Sequence, residues 1–360
     1  MDYQHLESWL RFLQTDGIGR VYSQKLLAYY GEPSKFMGED VSSAEFPKNV
    51  VQKIKENKPV NNLDHVIKLM DKYEIKYLTI NSEEYPESLK TIYSPPLILF
   101  YRGTLPHNAW NNTLAIVGTR HADNYGRYIT NKISRELTNK GVIIVSGLAY
   151  GVDTIAHKAC LAGGGKTIAV MATGCDQIYP PENRKLADKI IENGAVISEY
   201  MPGVEAERYF FPQRNRIISA LSMGTLVVQG KKNSGAMLTA KYAIDQNKEL
   251  FAIPGEINNS LSEGPNYLIK NGANMVTEAD DIMSSFMNTN YVEQLTIFPQ
   301  LSNDEKAVYN YIKQENRPVY LDEIVISTKF PVTKLSSLLM NLELKGVVQP
   351  QPGNKYIFLY

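Results

Sequence analysis

Leu114-Ala115-Ile116-Val117-Gly118-Thr119-Arg120 passes from four apolar residues into a glycine-bearing turn that ends on a cation, and the same passage recurs along the chain. Val142-Ile143-Ile144-Val145 leads to Ser146-Gly147, and Thr167-Ile168-Ala169-Val170 to Ala172-Thr173-Gly174. Thr225-Leu226-Val227-Val228 leads to Gln229-Gly230, and Leu250-Phe251-Ala252-Ile253 to Pro254-Gly255. Each run is continuous rather than alternating, which is how strands buried on both faces read. Helix-patterned segments separate them. The expected fold of residues 111–283 is therefore α/β, a Rossmann-like, mostly parallel sheet with helices on both faces and right-handed crossovers. Ligands of such sheets bind outside the carboxyl ends of the strands, so the turns are where function is read.

After Gly118-Thr119-Arg120 a helix is expected from about Tyr125-Gly126 through Ile129, Ile133 and Leu137. A dinucleotide fingerprint would need glycine at Arg120 and an acidic residue after the next strand. Both are missing, so no nicotinamide cofactor, and no other cofactor, is expected. A fixed cation beside helix amides suits a phosphate instead. In Ser146-Gly147-Leu148-Ala149-Tyr150-Gly151-Val152-Asp153, Asp153 is expected to cap a helix from Thr154 to Leu161. Gly163-Gly164-Gly165-Lys166-Thr167 imitates a phosphate loop, but the pattern needs glycine at Cys160, and the segment precedes a strand instead of following one. It reads as a helix C-cap and turn.

The long loop Ala172 to Asn183 lies at the ligand edge; a helix through Leu186, Ile190 and Ile191 follows, then a further strand at Ala195 to Tyr200. Phe210-Phe211-Pro212-Gln213-Arg214-Asn215-Arg216 places two aromatics and two arginines at the start of the next helix, where cations oppose the dipole unless an anion sits there. An aromatic beside arginines suits base stacking with backbone contact on a single strand. One of Phe210 and Phe211 is expected in the core. Lys231-Lys232-Asn233-Ser234-Gly235-Ala236 opens another helix, with Ser234 as N-cap and Gly235 allowing close approach.

Residues 1–60 read as short helices: Leu6, Trp9, Leu10 and Leu13 at helical spacing, the turn Thr15-Asp16-Gly17-Ile18-Gly19-Arg20, then Leu26 and Leu27. This resembles a helix-hairpin-helix unit, whose turn amides either meet a phosphate or serve only the turn. Residues 61–110 read as a connector with a helix face at Leu63, Val66, Ile67 and Met70 and short strands at Tyr77 to Ile80 and Leu97 to Phe100. Residues 284–300 turn polar and read as a linker. In 301–360, helices around Ala307 to Ile312, Leu321 to Ile326 and Val332 to Leu342 precede a hairpin about Pro352-Gly353-Asn354, a winged-helix pattern. Lys329, Lys334 and Lys345 are the cations counted near its second binding helix, which supports protein contact at least as well as duplex reading.

The chain has 360 residues, 43% hydrophobic and 21% charged, with zero formal net charge. That length predicts two or three domains, and that balance excludes a protein that coats nucleic acid indiscriminately. A local patch survives the exclusion: Glu205 to Lys241 holds six cations against two anions. No apolar run reaches the roughly 18 residues of a membrane span, and the start lacks a signal-peptide pattern. A cytoplasmic protein is expected, without membrane contact. Cys160 and Cys175 have neither disulfide-framework nor metal-ligand spacing and read as buried thiols.

Together, Tyr85-Pro86 to Gly103, Gly118-Thr119-Arg120, Ser146 to Asp153, Phe211-Pro212-Gln213-Arg214-Asn215-Arg216, Ser234-Gly235 with Thr239-Ala240, and Pro254-Gly255 resemble the DNA-processing protein A (Smf) family over nearly the whole chain. The resemblance implies an extended Rossmann domain between a small helical, SAM-like N-terminal domain and a winged helix. It implies a non-catalytic homodimer that binds and protects incoming single-stranded DNA and loads the RecA recombinase onto it in natural transformation. Carried onto this sequence, the DNA site comprises Gly118, Thr119, Arg120, Ser146, Gly147, Phe211, Arg214, Asn215, Arg216, Ser234, Gly235 and Lys241, with no metal. The alternative is a nucleotide-binding enzyme of the phosphoribohydrolase type on the same sheet. Against it, His121 and His157 have no obvious carboxylate or nucleophile partner, and His157 reads as a packed helix residue. A nuclease would need clustered carboxylates, and Asp280-Asp281 reads as a helix N-terminus.

Overall fold

A computed structural model of the chain describes residues 3–285 and 301–358, apart from positions 16, 40, 42–44, 316, 346 and 352. They form two compact units that divide between 283 and 284. The linker expected over 284–300 falls almost wholly outside the described residues.

The first unit opens with α1 (Tyr3–Leu13), α2 (Arg20–Tyr30), α3 (Lys48–Glu56) and α4 (Leu63–Tyr73). Then come β1 (Lys76–Thr79), α5 (Glu87–Lys90), β2 (Ile98–Gly103), β3 (Thr113–Val117), α6 (Asn124–Asn139), β4 (Ile143–Ser146), α7 (Val152–Ala162) and β5 (Thr167–Val170). The unit continues with α8 (Arg184–Asn193), β6 (Ala195–Ser198), α9 (Phe210–Ala220), β7 (Gly224–Val227), α10 (Gly235–Asp245), β8 (Glu249–Ala252), α11 (Glu263–Lys270) and β9 (Asn274–Met275). All nine strands join one sheet in the order β1-β2-β6-β5-β4-β3-β7-β8-β9. From β6 to β9 the pairing is parallel, and β2 and β1 extend it antiparallel. Tyr77 to Ile80 and Leu97 to Phe100 therefore belong largely to the sheet rather than to a connector before it. The pairing of β2 with β6 is non-local, which periodicity does not reveal. The two-residue β9 was too short to read.

Successive residues feed opposite cores, as a pleated strand requires. Ile98, Phe100, Ala169 and Val196 join one apolar cluster, while Leu99, Ile168, Val170 and Ile197 join the other. The first cluster also takes Leu6, Trp9, Leu10, Leu26 and Phe36, so the N-terminal helices close that face of the sheet. Trp9 is fully buried, and its Nε1 donates to Glu32 at 2.7 Å. In the helical hairpin, the Lys53 side chain lies across Gly17. Cys160 and Cys175 are buried free thiols, and Gly163 follows α7 as the turn residue anticipated.

The second unit holds α12 (Asn303–Glu315), β10 (Val319–Tyr320), α13 (Leu321–Thr328), α14 (Val332–Leu344), β11 (Val348–Gln351) and β12 (Lys355–Phe358). Val308, Ile312, Ile324, Leu335, Leu339 and Leu342 form its core, and the strands pair in the order β10-β12-β11. This is a winged helix. Lys345 Nζ reaches both oxygens of Glu305 at 2.7 Å, and Lys334 reaches Asp304 at 2.6 Å. Two of the three cations counted on this unit are thus neutralised within it.

Candidate functional site

The crossovers from β3 and β7 depart toward opposite edges of the sheet, so the loops after these neighbouring strands part. This is the switch point at which doubly wound sheets bind ligands. A cleft of about 510 Å³ opens there, lined among others by Gly118, Thr119, Arg120, Phe211, Arg214, Asn215, Ser234 and Gly235.

Backbone contacts hold its walls. The Thr119 amide donates to the Gln229 carbonyl at 2.7 Å, and the Val152 amide to the Thr119 carbonyl at 3.2 Å. Gly151, at φ +72, lies so close that a Cβ there would stand 2.3 Å from the Thr119 oxygen. Only glycine meets both demands. Helix α6 is capped by Asp123, which accepts from the Gly126 amide at 2.8 Å, Gln229 Nε2 at 2.9 Å and Asn259 Nδ2 at 2.8 Å. Burial opposes the Asp123 charge, but these donors outweigh it and hold the carboxyl below its ordinary value. Loops from three strands are tied to one carboxylate.

Arg214 is the buried centre of the site, 4% exposed. Helix α9 begins at Phe210, so Arg214 and Arg216 lie in its second turn and not at its N-terminus. Arg214 Nη1 donates to the Gly147 carbonyl at 2.7 Å and to the Val170 carbonyl, and Nε reaches Asn215 Oδ1 at 3.2 Å. It therefore pins α9 across the carboxyl ends of β4 and β5. Burial brings its pKa down to about 10, with Asp153 opposing and Arg120 adding to the shift. Asp153 is not a cap either. It lies inside the first turn of α7 and accepts from the Gly147 and Ala149 amides at 3.1 and 3.4 Å. Burial pushes this carboxyl up, while Arg214 and the two amides pull it down. Gly147 is held by Asp153 through its amide and by Arg214 through its carbonyl, and a Cβ there would stand 2.6 Å from the guanidinium carbon. The Ser146 hydroxyl donates to the Ile116 carbonyl at 2.6 Å. Ser146 and Gly147 thus build the cleft rather than face into it.

The open surface is aromatic and cationic. The exposed Arg120 guanidinium lies 5.5 Å over the Phe211 ring, and Tyr179 meets that ring edge-on at 5.5 Å. Neither Phe210 nor Phe211 is core: both are half-buried, and Phe210 packs on Tyr200 at 4.1 Å. Tyr179 and the exposed Arg208 line the cleft without having been singled out in the sequence. The Tyr-Pro-Pro loop after β5 was placed at the ligand edge, and that was the available signal. Ser234 stands at the N-cap position before α10, yet its side chain makes no capping bond, and its buried Oγ has no partner among the described residues.

Two expected contacts lie elsewhere. Arg216 binds Glu199 with both terminal nitrogens, at 2.8 and 2.6 Å, and gives Nε to the Ser94 carbonyl at 3.0 Å. It ties α9 to β6 and to the chain before β2 and is not among the cleft's lining. Lys241 is exposed on α10, also outside that lining.

His157 is fully buried. Its Nδ1 lies 2.7 Å from Thr167 Oγ1, whose own hydrogen goes to the Ile144 carbonyl at 2.6 Å, so Nδ1 must carry the proton. Burial, aided by Arg214, lowers its pKa from 6.5 to about 3. The unfolded chain then binds the proton that the folded chain refuses, and stability falls as pH drops through that window. A loss of about 1.4 kcal/mol per pH unit is expected from roughly pH 6 toward 4. In urea unfolding, His157→Gln should flatten that slope; an unchanged slope would assign it to other groups.

A doubly wound sheet with a cation, an aromatic and a helix start at its switch point defines a Rossmann-like α/β protein. The chain belongs to the DNA recombination-mediator protein A family, whose model matches residues 76–287, and the DprA winged helix domain matches residues 298–354. It is 32% identical to Protein Smf of Synechocystis over 97% of each chain. The solved DNA processing protein A of Streptococcus pneumoniae superposes with a TM-score of 0.66 at 33% identity, covering 77% of this chain and 97% of that one. A structure describing the single-stranded DNA binding mode of DNA processing protein A from Helicobacter pylori aligns with a TM-score of 0.54 at 30% identity, covering 60% and 97%.

Proposed function

We propose that this recombination mediator binds single-stranded DNA in the cleft, protects it, and loads the RecA recombinase onto it. It works in the cytoplasm, as a homodimer and without catalysis. The observation that carries the reading is the Arg120, Phe211 and Tyr179 cluster at the cleft mouth. A guanidinium neutralises phosphate, and an aromatic face accepts any base, so the site needs no sequence. The Helicobacter pylori relative's single-stranded DNA binding mode supports it. Against an enzyme on this sheet, Asp153 borders the cleft but is buried and engaged by two amides, and His157 is enclosed.

The test is anisotropy of labelled oligothymidine, single-stranded against duplex, across a salt series, with nucleotide hydrolysis assayed in parallel. Preference for the single strand with a steep salt slope supports the reading. Release of free base, or no preference, would sink it. Arg120→Ala should reduce the magnitude of the slope of log affinity against log salt by about 0.7, one single-strand phosphate contact. An unchanged slope would remove Arg120 from the interface.

A further inference from the structure

One turn further along α10 lies a second cavity, of about 620 Å³, within the range of small-molecule sites. The cleft reaches Thr239 on α10, and this cavity begins at Tyr242; on α9 the cleft takes Phe211, Arg214, Asn215 and Ile218, and the cavity takes Gln213 and Arg216 on the other side of that helix. Three helical residues rise roughly 4.5 Å, comparable to the ~3.4 Å advance of one nucleotide in a stacked strand. A strand leaving the cleft along α10 would bring its next bases toward the cavity.

The floor carries an unmet acceptor. Gln246 Nε2 donates to the Arg216 carbonyl at 3.0 Å, while its buried Oε1 takes no hydrogen bond among the described residues. The amide cannot be turned round, because Oε1 would then face that carbonyl. A buried acceptor of this kind calls for a ligand N–H or O–H. The exposed Asp245 carboxylate adds a second acceptor at the wall. Tyr242 and Tyr93, the latter 86% exposed, supply aromatic faces. Acceptors and ring faces match an amine-bearing base.

We propose that this cavity receives one amine-bearing nucleobase, either from a DNA strand leaving the cleft or from a free mononucleotide. The strand version rests on the single-stranded DNA reading above; the mononucleotide version does not.

The experiment uses the full chain with four probes: oligodeoxyadenylate, oligothymidylate, dAMP and dTMP. The variants are Gln246→Leu and, since Asp245 is exposed and its replacement spares the core, Asp245→Ala, which removes the acceptor. Wild type should favour the adenine probe of at least one pair by about fivefold, the worth of one neutral hydrogen bond. Both variants should lose the preference while keeping wild-type affinity for oligothymidylate. A variant-sensitive preference confined to the oligomers supports the strand source, and one shared by dAMP supports the free nucleotide. If oligothymidylate fails to bind wild type, the single-stranded DNA reading falls, and dAMP alone decides the cavity. No preference in either pair, or one that both variants retain, overturns the proposal.

Discussion

Truncating Arg214 to alanine should lower the unfolding free energy by about 3–5 kcal/mol, the range for removing one partner of a buried charge pair. The guanidinium satisfies the Gly147 and Val170 carbonyls at once and faces the buried Asp153. Without it the carboxylate loses its cation, two carbonyls lose their donor, and α9 loses its tether to the sheet. Lysine should not rescue the loss, because a single ammonium lacks the planar fork that serves two carbonyls and Asn215 together. Gly147→Ala should fail for the complementary reason, since its Cβ would collide with the guanidinium. Urea unfolding of the three variants is the check. A loss below about 1 kcal/mol for Arg214→Ala would mean that Asp153 is neutral in the fold and that the pair contributes little.

Phe211→Ala should weaken oligothymidine binding by about 1–3 kcal/mol, roughly fivefold to 150-fold, while leaving the unfolding midpoint close to wild type. The ring is half-buried and braced by Arg120 and Tyr179, so it presents a face without being core. Leucine keeps the bulk and loses the π face, so Phe211→Leu separates stacking from packing. Wild-type affinity in both variants would remove the aromatic from the interface. Arg214 should act on stability and binding together, whereas Phe211 should act on binding alone. That contrast distinguishes a residue that builds the cleft from one that meets the ligand.

The two arginines of one motif show where sequence reasoning stops. Arg214 and Arg216 are two positions apart on α9 and therefore point in different directions. One is driven into the sheet's carboxyl edge, and the other pairs with Glu199 on β6's trailing loop. Read as sequence, both are cations beside an aromatic. Only their distant neighbours assign them structural roles and leave Arg120 as the exposed cation on the aromatic.

By itself the sequence determined the sheet, because continuous apolar runs between helical patterns must be buried on both faces. The ligand edge followed from the same runs, since the turns at their carboxyl ends can be read directly. The family followed from six ordered motifs. Tertiary structure decided the antiparallel edge formed by β1 and β2, the switch point between β3 and β7, and which polar groups remain available. These depend on pairings between residues far apart in the chain, such as Arg214 with Gly147 or Asp123 with Asn259. Local pattern records that a side chain is charged or small. The partner that claims it is set by packing.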